Sequence, residues 1–128
     1  MRKYVPTILR VVLGLMFTGS AIAGVLGKAP PPASEAAQAF MGTLASSGLI
    51  YLVKAVELAC GLALLSGFFV PLALVVLAPV LVNILFFHAA LEPAGLIVSG
   101  ALTALWVGNV MANRTTLFPL LRPMSQAA

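Results

Sequence analysis

Four runs of about twenty apolar residues follow one another along this chain, at about 5–26, 48–66, 68–90 and 94–112. Each has the length a helix needs to cross the hydrocarbon core of a bilayer, at ~1.5 Å of rise per residue. In lipid, every backbone N–H and C=O must find its partner inside the protein, so uninterrupted apolar runs of this length fold as helices. Composition agrees: 8% of the 128 residues are charged, where a soluble domain carries about a quarter. A water-soluble globule is excluded.

The joints between runs set the topology. Gly67 separates the second run from the third, and Glu92-Pro93 separates the third from the fourth. Joints this short bring consecutive helices back antiparallel. The expected fold is therefore all-α, a single domain over residues 1–128, built as an integral-membrane, up-down-up-down four-helix bundle. The longest connection, GKAPPPASEAAQAFMGTLASS (27–47), opens with a proline run that stops the first helix. Ser34 is placed to cap a short helix over about 34–46, with Glu35 in its first turn favoured by the helix dipole. Ala37, Phe40, Met41 and Leu44 make one apolar stripe, so this helix is expected to lie in the extracytoplasmic interface and roof the bundle.

The opening MRK, an apolar stretch and SAIAG (20–24) are similar to a secretory signal with a small-residue cleavage site. Arg10 interrupts the apolar region, however, and the segment is expected to remain as the first spanning helix. Orientation follows from charge. Arg2 and Lys3 precede the first run and Arg114 and Arg122 follow the fourth, whereas the other side carries Lys28 with Glu35 and Glu92. The positive-inside rule then places both termini in the cytoplasm. Tyr4 and Trp106 fall near the inner interface, where aromatic belts sit. A net charge of +4 could suggest nucleic acid, but the basic residues are scattered and no soluble scaffold displays them, so no nucleic-acid partner is expected.

Polar residues inside the runs carry the functional question. A charge at the centre of a bilayer costs about 2.5–3.5 kcal/mol on insertion scales, so each one needs a reason. Arg10 lies roughly 9 Å from the cytoplasmic end of the first helix, and Glu57 roughly 13 Å from the same side on the second. The reach of an arginine covers that difference, which predicts an Arg10–Glu57 pair, with Asn109 of the fourth helix near the same level. Lys54 sits one turn from Glu57 on the same face, spaced i,i+3. It can bond Glu57 within the helix or Asn83 across the bundle, with Thr18 at its level. Asn83 also lies one turn beyond Pro79, which frees a backbone carbonyl. Arg10, Lys54, Glu57, Asn83 and Asn109 are thus expected as an intramembrane polar ladder. It serves either as a staple fixing helix register or as a small-molecule or proton-linked site. A glutamate flanked by two cations stays ionised, which argues against an easily protonated carrier.

His88 is an additional candidate, but it points about 140° away from Asn83 and sits at a helix end, where a loop-bonded role is the commoner one. One histidine and one cysteine (Cys60) supply neither a disulfide within the chain nor a four-ligand metal site, so no metal is expected. Gly100, Ala104 and Gly108 form a small-residue stripe on the fourth helix, suited to close packing inside the bundle or against a partner. No phosphate-binding loop, nucleophile elbow or paired-carboxylate constellation is present in the sequence, which gives standalone catalysis no support.

The segments RVVLGLMFTGSAIAG (10–24), FMGTLASSG (40–48), KAVELACGLALLSGFFVPLAL (54–74), VNILFFH (82–88) and LFPLLRP (117–123) make the chain resemble the DoxX family of small four-helix bacterial membrane proteins. The family's early arginine is matched by Arg10, its glutamate followed by glycine by Glu57 and Gly61, and its asparagine and histidine by Asn83 and His88. The resemblance implies membrane redox company. Some relatives form part of a thiosulfate:quinone oxidoreductase and others are linked to oxidative-stress complexes. Without a cysteine pair or a soluble catalytic domain, this chain is expected to be an accessory subunit of a larger, quinone-linked assembly. Its polar site is expected to be lined by Arg10, Lys54, Glu57 and Asn83, with Lys54 or Arg10 donating to a carbonyl or anionic head group and Glu57 holding both cations in place. Its expected partners are membrane lipid and either other membrane subunits or further copies of itself, with a quinone or lipid as the candidate ligand. Two other readings are carried: a binder or transporter of a lipid or small hydrophobic solute, and a purely structural membrane protein.

Overall fold

A computed structural model describes residues 2–123, and within that range every regular element is helical. The long helices are α1 (Val5–Val25), α3 (Leu49–Ser66), α4 (Val70–Ala90) and α5 (Leu96–Ala112), and a shorter α2 (Glu35–Ser46) lies between the first two. A final turn, α6 (Arg114–Leu117), runs into a 3-10 segment, Phe118–Leu121. Three of the long helices, α1, α3 and α4, and the helical run Pro93–Ala112 that contains α5, are long and apolar enough to cross a membrane, with α4 the most apolar at a mean hydropathy of 2.6.

Local chemistry sets the ends. Pro6 lies in the first turn of α1, where its missing N–H costs nothing. Ser34 caps α2, its hydroxyl accepting from Ala37 N at 3.1 Å. Gly67 ends α3 in the left-handed region (φ 82°), donating back to Ala63 O at 3.0 Å. That conformation is cheap only without a Cβ, and it lets the chain reverse into α4 within three residues. Phe69 shares the turn at φ 56°, a conformation that costs a non-glycine residue about 1–2 kcal/mol.

The long helices close into a ring in which α1 packs on α3 and α5, and α4 packs on the same two. The most intimate pair is α1 with α3. Gly14 of α1 faces Gly61 of α3, and a Cβ built on Gly61 would collide with the Thr18 hydroxyl and stand 2.9 Å from the Thr18 backbone N. Going up α1 from Arg10 through Gly14 to Gly24, the contacts on α3 go down from Leu64 through Gly61 to Lys54, so the two helices run antiparallel. Inside the ring, Leu13, Phe17, Leu64, Leu74 and Leu77 are fully enclosed, with Cys60, Ala73, Leu81 and Leu117 around them. The outer surface is greasy, with Leu62, Leu72, Val82, Phe86 and Ile97 all exposed. Such a surface is stable only against lipid or another membrane protein.

α2 is held at the end of the ring where the 27–34 connection meets the 91–95 joint. Glu92, itself buried, accepts from Ala33 N at 2.6 Å and Ser34 N at 3.1 Å, and the Ser34 hydroxyl donates to Leu91 O. Phe40 of α2 meets Phe87 of α4 with ring centroids 5.7 Å apart. Removing the Glu92 carboxylate strands two backbone donors at once. Glu92→Ala is expected to cost about 1–3 kcal/mol, the penalty for unpaired buried polar groups, with amide exchange accelerated selectively at 33–37. Uniform acceleration along the chain would show that Glu92 is not the tether.

Candidate functional site

One and two turns above the Gly14–Gly61 crossing, α3 carries Glu57 and Lys54, and Lys54 reaches across to α1. The pair is spaced i,i+3 and makes a salt bridge with Nζ 2.9 Å from Oε2. Glu57 is 3% exposed, so its carboxylate is out of reach of bulk solvent. Lys54 lays its methylene stem over Gly24, where a Cβ would meet it, and also donates to the Ser20 hydroxyl at 3.3 Å. Glycine on α1 thus makes space for the lysine of α3, and the ammonium ties the two helices together. The bond between Lys54 and Glu57 is the one the i,i+3 spacing allows.

The rest of the expected ladder is dispersed. Arg10 does not pair with Glu57. Its Nη1 donates to Leu64 O at 2.5 Å and Leu65 O at 3.3 Å, and the guanidinium lies against Gly67. The physical reason is the end of α3, whose last carbonyls have no partner within the helix and carry the negative end of its dipole. They attract the guanidinium as a carboxylate would, and they lie closer.

Asn83 does not face Lys54 either. It is exposed on the outer face of α4, in line with Leu72, Val75, Val76, Pro79, Val82 and Phe86. The carbonyl freed by Pro79 is that of Val75, on the same outer face.

Asn109 is enclosed at 1% exposure, but its amide Nδ2 turns back to Leu105 O at 2.8 Å, while its Oδ1 and, separately, the buried Thr18 hydroxyl have no partner among the described residues. His88 bonds the 91–95 joint, its Nδ1 3.1 Å from Glu92 O and its ring against Gly95. Of the small-residue stripe, Gly108 is covered by Leu9 of α1, whereas Gly100 and Ala104 face outward.

Two contributions were not anticipated from sequence. Glu92 was read only as a joint residue, though a lone acid beside a proline in a tight apolar turn is itself a signal for a backbone anchor. Trp106 is half-buried, and its indole Nε1 donates to Leu74 O at 2.9 Å, bonding α5 to α4.

Concavities lie on the outside of the bundle. One is a groove of about 300 Å³ between α3 and α4, lined by Val56, Cys60, Ala63, Phe69, Leu72 and Val76 among others. Apart from the Cys60 thiol, its side chains offer no hydrogen-bond donor. Another, of about 360 Å³, lies beyond the end of α5 and is lined by Arg114, Thr115, Phe118, Pro119 and Arg122. No group of three or more His, Cys, Asp or Glu placed to hold a metal occurs among the described residues.

Chemically, the interior holds one ion pair, bonded to a neighbouring hydroxyl, in a packed bundle. A family model described as DoxX matches residues 5–90, about two thirds of the chain. Neither a curated protein nor a solved structure matches it.

Proposed function

The chain belongs to the DoxX family, and from that premise we propose that it is an accessory membrane subunit that docks into a larger assembly through the outer face of α4. The observation that carries this reading is Asn83. A primary amide with two donors and an acceptor lies on the outer face of the most apolar helix, roughly 10 Å from its C-terminal end. Lipid tails cannot satisfy those groups. A neighbouring transmembrane helix can, and interhelical bonds of this kind contribute about 0.6–2 kcal/mol each. Val82 and Phe86 flank the amide with apolar area for packing, and the Val75 carbonyl offers a second acceptor two turns away.

The same reading sets the protein in a bacterial inner membrane as an up-down-up-down bundle. Arg2, Lys3, Arg114 and Arg122 mark the cytoplasmic side, and α2 lies in the opposite interface. The enclosed Lys54–Glu57 pair then fixes the register of α1 and α3, leaving the outer surfaces to do the recognising. Quinone linkage belongs to the assembly rather than to a site in this chain. A quinone head needs donors at its carbonyls, and the α3–α4 groove presents a single thiol.

That groove favours a second reading, a binder of one lipid or isoprenoid tail, because its apolar lining and open side suit a chain lying along the helices. The test that separates the two is a photo-crosslinking residue at Val82 or Phe86, activated in intact membranes. A docked subunit gives a discrete protein adduct at both positions, which weakens when Asn83→Leu is added. Adducts with lipid alone at both positions would leave the tail-binding reading and overturn the docking one.

A further inference from the structure

We propose that Arg114 and Arg122 form a site for the phosphate of an anionic phospholipid at the membrane surface, a site separate from the docking face of α4. Arg114 and Arg122 line one concavity of about 360 Å³ together with Thr115, Phe118 and Pro119. Arg114 spends one N–H on Met111 O at 3.1 Å, which holds its stem against the end of α5 and leaves the remaining donors of the fork outward. Planar forks of this kind bind phosphate oxygens in pairs, which a lysine ammonium does not.

What the site lacks is a counter-charge. The sequence has three acidic residues: Glu57 is bound to Lys54, Glu92 holds Ala33 and Ser34, and Glu35 opens α2. Leu9 of α1 packs on Gly108 of α5, so the start of α1 and the end of α5 share one end of the bundle. Arg2 and Lys3 are therefore at the same end as Arg114 and Arg122, and all three acids belong to the middle or the other end. Among the described residues, these four cations have no acid at their end of the bundle.

The neighbouring residues say where the phosphate comes from. Phe118, Leu120 and Leu121 are exposed at 47, 68 and 79% in the segment between the two arginines. An apolar turn bracketed by guanidiniums, following directly on a membrane-spanning helix, suits the boundary where acyl chains meet headgroups. A lipid phosphate there would place its tails beside the exposed Leu120 and Leu121, which free phosphate cannot use.

The full-length protein in nanodiscs mixing phosphatidylglycerol and phosphatidylcholine, followed by native mass spectrometry, tests the site. Wild type is expected to retain phosphatidylglycerol over phosphatidylcholine by about ten- to thirty-fold, given the attraction of two surface arginines. Arg114→Gln with Arg122→Gln is expected to abolish the preference. Both side chains lie on the surface, so the variant keeps its fold, checked by an unchanged helical circular dichroism signal. Arg114→Lys with Arg122→Lys is expected to keep only part of the preference, since charge remains and the fork is lost. Equal retention of the two lipids by wild type, or an unchanged preference in the Gln variant, would overturn the proposal. Displacement of the lipid by millimolar inorganic phosphate would overturn the lipid as the source and leave a free-phosphate site.

Discussion

Glu57→Leu is expected to lower the stability of the bundle by about 3–5 kcal/mol, read as the midpoint of unfolding in mixed SDS micelles, because it strands a cation between helices. Wild-type Lys54 holds Glu57 at 2.9 Å and Ser20 at 3.3 Å. With the carboxylate gone, one hydroxyl remains to an ammonium whose stem is held over Gly24. Adding Lys54→Met should recover most of the loss, since methionine fills a similar volume and needs no partner. A double variant close to wild type in stability and in assembly identifies the pair as a staple. A double variant that folds but no longer assembles would show that the charges do more than hold α1 to α3.

The second large effect is steric. Gly61→Ala is expected to cost about 1–3 kcal/mol by overpacking, and Gly61→Leu should prevent α1 and α3 from closing at all. The obstruction is backbone: the new Cβ would stand 2.9 Å from Thr18 N and 3.1 Å from Gly14 O, neither of which can swing away. Gly100→Ala supplies the contrast, because a Cβ there meets nothing within 4 Å and the fold should not register it. Equal tolerance at both positions would mean that the two helices do not cross at Gly14 and Gly61.

These residues show what a sequence of this kind discloses. Four spanning helices follow from run length and hydropathy, and Ser34 is recognisable as a cap because its chemistry is local. The Lys54–Glu57 bond is legible for the same reason, since i,i+3 spacing puts both on one face whatever lies opposite. For Asn83, counting residues gives height in the membrane but not direction around the helix. α4 is apolar on every side, so no polar face distinguishes inward from outward, and the amide was assigned to the interior where its bonding would be easiest. Arg10 is a different case. Matching charge to charge led to Glu57, while the competing anion was the set of unpaired carbonyls ending α3, which no side chain announces. Glu92 and Trp106 bond backbone atoms distant in sequence, and such partners emerge only once the chain is folded.

Asn83 bears most directly on what the protein does. Native mass spectrometry of the wild-type protein and Asn83→Leu, both extracted in mild detergent, compares the two with the interior staple untouched. The account predicts that wild type carries a protein partner, in fixed stoichiometry, which the variant loses or binds about ten-fold more weakly, as the loss of about 1–2 kcal/mol of interhelical bonding requires. Wild type and variant flying as identical, solitary chains would contradict it.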